Sequence, residues 1–222
     1  MELILDTADV EAIKKYSQML NVSGVTTNPK IIAGTGKQPK QAADDVLSVL
    51  SDDQKFFMQA TSTDYDGIMA DAEFVSSLRP KNNYIKIPCT PVGLRAIKDC
   101  KAAGMNVLGT CVFSAELGFF AALNGADYLA PYVNRMSQYT DGIESTCRLI
   151  DMLAMHDMPT KVMGASWHNI AQVRDLIEAG IDAVTVDPGI IDRIVENYIT
   201  ASVVDDFTET WTSAFGRSSI AE

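Results

Sequence analysis

Histidine and cysteine are scarce in this chain of 222 residues. His156 and His168 stand far apart with no acidic cluster beside either, which speaks against a zinc site. Cys89, Cys100, Cys111 and Cys147 show no CxxC spacing and read as reduced core or near-core thiols of a cytoplasmic protein. Neither a metal nor a cofactor is expected. A glycine-rich phosphate loop is also missing: the first β-like run leads straight into "DTADV", with no GxGxxG and no GxxxxGK[ST]. No apolar run approaches the ~20 residues of a membrane span. The N-terminal "MELILDTADV" has an acid at position 2 and too short an apolar stretch for a signal peptide. Basic residues are in deficit, 18 against 29 acidic ones, giving a net charge of −11. Such a chain repels nucleic acid and anionic membrane surfaces, so neither is an expected partner. A phosphorylated substrate would need a local basic pocket working against the global charge.

What the chain does have is apolar material, 47% of its residues, enough for one sizeable core. Short β-like runs recur along its length: residues 2–6, 24–27, 55–60, 84–88, 106–110, 127–131, 161–165 and 182–186. They are near-continuous apolar runs, the pattern of parallel strands buried on both faces. Helical stretches such as "DVEAIKKYSQML", "PVGLRAIKDCKAAG" and "NIAQVRDLIEAG" lie between them, the last two ending in a glycine suited to a left-handed helix stop. Eight strand–helix units allow an open doubly wound sheet or a closed barrel. The missing phosphate loop favours the barrel. The predicted fold is an α/β (β/α)8 TIM barrel over residues 1–200, followed by an extra C-terminal helix and tail over 201–222. Asp187-Pro188, after the eighth strand, reads as a helix cap and first-turn pair.

In such a barrel the C-terminal ends of the strands and the loops after them build the site. In order these ends offer Asp6; Thr26, Thr27 and Asn28; Gln59; Lys86; Thr110; Tyr132 with Arg135; Ser166 with His168; and Asp187. The set is polar and lacks the carboxylates and histidines of a metal site. Lys86 stands alone in "YIKIPC", where burial favours a neutral amine, the form that attacks carbonyl groups. Each residue also has a structural reading. Lys86 can sit at an edge with its head in water, Asp6 can be a helix cap, and Asn28-Pro29 a turn. Gln59 can be a satisfied core amide, and Tyr132 a packing residue with its hydroxyl in solvent. Their fall at successive strand ends favours a shared site.

The segments "MELILDT", "GVTTNPKII", "YIKIPCTPVGLRAIK", "LGTCVFS", "APYVNR" and "AFGRSSI" resemble the fructose-6-phosphate aldolases of the small transaldolase family, from residue 1 to about residue 220. The resemblance implies an (α/β)8 barrel and class I aldol chemistry, with Lys86 as the Schiff-base lysine and no metal required. It further implies that Asp6 and Asn28 orient donor hydroxyls, with Thr26 beside them in the substrate site. Gln59, Thr110 and Tyr132 would hold a catalytic water, Tyr132 serving as acid and base. Arg135 and Ser166 match positions associated with the substrate phosphate. Gln59 and Tyr132 fall on the aldolase side of the family, since transaldolases typically carry glutamate and phenylalanine there. The implied reaction is reversible cleavage of fructose 6-phosphate to dihydroxyacetone and glyceraldehyde 3-phosphate. A transaldolase moving a dihydroxyacetone unit between sugar phosphates is the alternative, and an idle sugar-phosphate-binding barrel is one of another class. His168 departs from the family's usual lysine or arginine. A histidine carries less charge at neutral pH, which predicts pH-sensitive phosphate recognition.

In the tail, Val204, Phe207, Trp211 and Phe215 share one face of a predicted helix. A sticky apolar stripe of this kind calls for a cover. That cover is either the chain's own barrel or, as the resemblance implies, a neighbour in a homo-oligomer, a pentamer or a decamer.

Overall fold

The computed structural model of the chain describes residues 1–221. Eight parallel strands close into a barrel in sequence order: β1 (Glu2–Asp6), β2 (Val22–Thr26), β3 (Lys55–Gln59), β4 (Asn83–Pro88), β5 (Val107–Val112), β6 (Tyr128–Pro131), β7 (Lys161–Gly164) and β8 (Ala183–Val186). β1 closes the ring by pairing with β8 as well as β2. Helices fill every connection. They are α1 (Val10–Met19), α2 (Pro29–Gly34), α3 (Pro39–Leu47), α4 (Tyr65–Ser77), α5 (Pro91–Ala102), α6 (Ala115–Leu123), α7 (Val133–Met136), α8 (Gly142–Met155) and α9 (Ile170–Glu178). After β8 come α10 (Pro188–Val195) and the additional C-terminal helix α11 (Tyr198–Phe215). The predicted (β/α)8 barrel with an extra helix is the fold of the chain. Two compact units divide it, Met1–Pro188 and a second that begins at Gly189.

Local chemistry sets the helix ends. Asp9, Asn28, Asp64, Thr90, Ser114, Asp141 and Asn169 each accept hydrogen bonds from first-turn N–H groups, satisfying donors that have no partner inside the helix. Gly104 and Gly180, after α5 and α9, take the left-handed conformation at φ 79° and 82°, as the helix–Gly–strand pattern predicts.

Inside the barrel the two-residue period of a strand sorts side chains into levels. Ile4, Phe57, Leu108, Tyr128, Ala130, Met163, Ala165 and Ala183 form the central core, with Tyr84 and Tyr132 packed against it. Phe57 stacks on Tyr84 at 4.6 Å and meets Tyr128 edge-on at 5.4 Å. One level below, Glu2 bonds Lys161 at 2.6 Å, lies 3.3 Å from Lys55 and accepts from the Tyr128 hydroxyl at 2.9 Å. Burial works to raise the Glu2 carboxyl, but its bonds to Lys161 and Tyr128 and the nearby Lys55 outweigh it and hold the pKa low. This polar plug sits at the N-terminal end of the barrel, opposite the polar residues at the strand C-termini.

In the second unit, α11 runs for 18 residues and buries none of them. Val203, Val204, Phe207 and Phe215 are exposed, and the Trp211 ring meets Phe215 at a tilt with centroids 4.4 Å apart. Among the described residues no helix is long and apolar enough to cross a membrane.

Candidate active site

The residues one interior level above the core are the candidates themselves. Two positions past Ile4 lies Asp6. In the same way Phe57 leads to Gln59, Tyr84 to Lys86, Leu108 to Thr110, Ala130 to Tyr132, and Ala183 to Thr185. A cavity of about 360 Å³ opens at this level, lined by residues that include Asp6, Asn28, Gln59, Lys86, Tyr132, Arg135 and Ser166.

Lys86 is 5% exposed, and its Nζ donates to the Thr27 carbonyl oxygen at 2.8 Å. Burial pulls its pKa below the ordinary lysine value of 10.5, while Asp6 and Cys111 act in the opposite sense. Burial thus shifts Lys86 towards the neutral amine. Asp6 is not a helix cap, since Asp9 caps α1. Its Oδ1 accepts from Thr26 Oγ1 at 2.7 Å, and Thr26 Oγ1 lies 2.5 Å from Thr185 Oγ1. Thr26 is fully buried and stands behind Asp6 rather than in the cavity lining.

Asn28 does cap α2, its Oδ1 accepting from Lys30 N at 3.0 Å and Ile31 N at 3.1 Å. With the oxygen committed to the backbone, the amide NH2 is the group Asn28 offers the cavity. Gln59 is not a satisfied core amide. Its Oε1 is buried with no hydrogen-bond partner among the described residues. Such an acceptor costs about 1–3 kcal/mol until a water or a substrate hydroxyl donates to it. The buried Thr110 donates from Oγ1 to the Tyr132 hydroxyl at 3.2 Å. Burial pushes the Tyr132 phenol up to about 12, so it carries its proton at neutral pH. Arg135 lies over the Tyr132 ring at 5.2 Å.

The loop after β7 is bent sharply. Ser166 sits at φ 62°, a left-handed conformation that is costly for a residue with a Cβ. Two contacts hold it there. The Ser166 carbonyl accepts from Asn134 N at 2.8 Å, and the neighbouring Trp167 donates from Nε1 to the Thr185 carbonyl at 2.7 Å. The indole lies over Gly164, where a Cβ would come within 2.4 Å of the ring. His168 is exposed, its backbone N–H donates to the Gln172 side chain at 2.8 Å, and it is not among the lining residues.

Sequence reasoning misses Cys111, Thr185 and Lys30, all of which line the cavity. Cys111 escapes notice because the register slips between Gly109 and Val112 and Cys111 adopts φ 55°. Simple alternation would turn it away from the interior, and the bulge turns it back. Thr185 follows from alternation along "DAVTV" and is legible there. Lys30 gives no signal, being one lysine in the first turn of a short helix. All four cysteines are free, and among the described residues no three His, Cys, Asp or Glu side chains cluster closely enough to hold a metal ion.

The barrel fold is shared with solved structures. The crystal structure of a 3-hexulose-6-phosphate synthase superposes with a TM-score of 0.62 over 84% of this chain and 90% of that one, at 11% identity, a likeness of fold alone. Sequence similarity is more specific. A Streptococcus pneumoniae protein named "Probable fructose-6-phosphate aldolase" is 34% identical over 213 residues, 95% of this chain and 96% of its own. The sequence profile of the transaldolase/fructose-6-phosphate aldolase family matches residues 3–219. The chain belongs to the transaldolase/fructose-6-phosphate aldolase family.

Proposed function

We propose that this protein is a class I aldolase that reversibly cleaves fructose 6-phosphate into dihydroxyacetone and glyceraldehyde 3-phosphate. The observation that carries the reading is Lys86, buried to 5% exposure at the floor of a polar cavity with its pKa drawn down. Its neutral amine attacks the substrate ketone, and loss of water leaves an iminium. A base then takes the proton of the hydroxyl beyond the breaking carbon–carbon bond, and the bonding pair moves into the iminium to give an enamine. The phosphorylated aldehyde departs. Protonation of the enamine and attack of water on the renewed iminium release dihydroxyacetone and free Lys86.

Tyr132 is suited to the proton transfers, because its phenol is protonated at rest and bonded to Thr110. Gln59 accepts at Oε1 but cannot itself titrate, so it positions a water rather than sharing its protons. Asp6, fixed by Thr26, accepts donor hydroxyls, and the Asn28 amide donates to them. Arg135 and Ser166 receive the phosphate. His168 reaches that group only if the loop after β7 rearranges.

A transaldolase would use the same Schiff-base lysine, so the test compares two reactions. Cleavage of fructose 6-phosphate is expected to outpace transfer from sedoheptulose 7-phosphate to glyceraldehyde 3-phosphate. Faster transfer would make the protein a transaldolase, and failure of both reactions would favour an idle binding barrel.

A further inference from the structure

Lys30 and Arg135 face one cavity from opposite sides of the barrel. Lys30 follows β2 and Arg135 follows β6, and these strands stand four apart in a closed ring of eight. Neither side chain forms an ion pair among the described residues. They are cations left without a carboxylate in a chain whose net charge is −11. Lys37, Lys40, Lys101 and Lys161 each meet a carboxylate at 2.6–2.7 Å. Among the described residues the only carboxylate lining this cavity is Asp6, whose Oδ1 already accepts from Thr26 at the level of Lys86. The Lys30 backbone N–H is likewise committed to the Asn28 cap, so the ammonium on its four-carbon stem is what Lys30 brings to the mouth.

We infer that Lys30 is a specificity-determining residue that, with Arg135, clamps the phosphate monoester of the aldehyde half of the substrate. This inference rests on the aldolase reading above. A phosphate dianion between two unpaired cations gains charge-assisted hydrogen bonds that a neutral aldehyde cannot make. It also supplies the local basic pocket that an acidic chain needs for a phosphorylated ligand. His168, exposed and outside the lining, leaves that second cation to Lys30.

The test is a selectivity ratio. With dihydroxyacetone as donor, kcat/KM for glyceraldehyde 3-phosphate is divided by kcat/KM for glyceraldehyde. Lys30→Met is expected to lower this ratio ~10-fold, and Lys30→Arg to restore most of it. A ratio that stays put in Lys30→Met, or one that Lys30→Arg fails to restore, overturns the inference. Calorimetric titration with inorganic phosphate checks the same point without turnover: binding should weaken ~10-fold in Lys30→Met, and equal affinity overturns the clamp. Failure of the aldolase reading itself would show separately, as a wild-type protein that joins dihydroxyacetone to neither aldehyde.

Discussion

A lysine in a strand is ordinarily an edge residue with its head in water, and Lys86 is not. Tyr84 below it belongs to the packed interior, so the two-residue period carries Lys86 into the barrel at the level where the core gives way to polar groups. That placement is legible from "YIKIPC" alone, because strong β-formers flank one charge. The cost of burial predicts a pH dependence of stability. The folded-state pKa lies below the ordinary 10.5, so between the two values the unfolded chain binds the additional proton. Wild-type stability therefore rises with pH through that window. Lys86→Met has no such dependence. The melting temperature of the variant minus that of the wild type should fall as pH climbs towards 10.5. A difference that is flat in pH would mean Lys86 titrates as an ordinary surface lysine.

At the scale of elements, strand ends are readable and loop conformations are not. Alternation carries Asp6, Gln59, Thr110 and Tyr132 to the level above the core, each two residues past a core side chain. Beyond that the chain leaves the regular period. Cys111 and Ser166 both take left-handed angles, and neither is a glycine that would advertise the bend. The turn after β7 shows what holds such a conformation. Trp167 lies over Gly164 and anchors to Thr185, whose hydroxyl continues through Thr26 to Asp6. This makes Trp167 a positioning residue for Ser166. Trp167→Ala should raise KM for fructose 6-phosphate ~10-fold with a smaller change in kcat, and Trp167→Phe should recover part of the loss by filling the space over Gly164. An alanine variant that loses only thermal stability, at unchanged KM, would reduce Trp167 to packing. The same conformation explains why adjacency to Ser166 in sequence does not bring His168 into the cavity lining.

Across the whole molecule, the count of eight strand–helix units and the absent phosphate loop are enough to choose a barrel. The polar plug of Glu2, Lys55, Tyr128 and Lys161 is not legible in the same way, because its partners are scattered over most of the chain. The apolar face of α11 is plain from its spacing, and Val204, Phe207 and Phe215 are exposed. With two aromatic rings among them, these side chains favour cover by a second copy of the chain, and we propose a homo-oligomer of five or ten subunits. Light scattering should return a multiple of the 24.1 kDa chain mass, and Phe207→Glu should lower it. A mass of one chain at micromolar concentration would contradict this.

The proposed reaction stands or falls on a covalent bond between the substrate and one lysine. Borohydride reduction in the presence of dihydroxyacetone, followed by peptide mass mapping, reads that bond without intermediaries. A single reduced adduct is expected on Lys86, absent from Lys86→Met even though that variant remains folded. An adduct on another lysine, or none under conditions where the protein cleaves fructose 6-phosphate, would rule out Lys86 as the nucleophile.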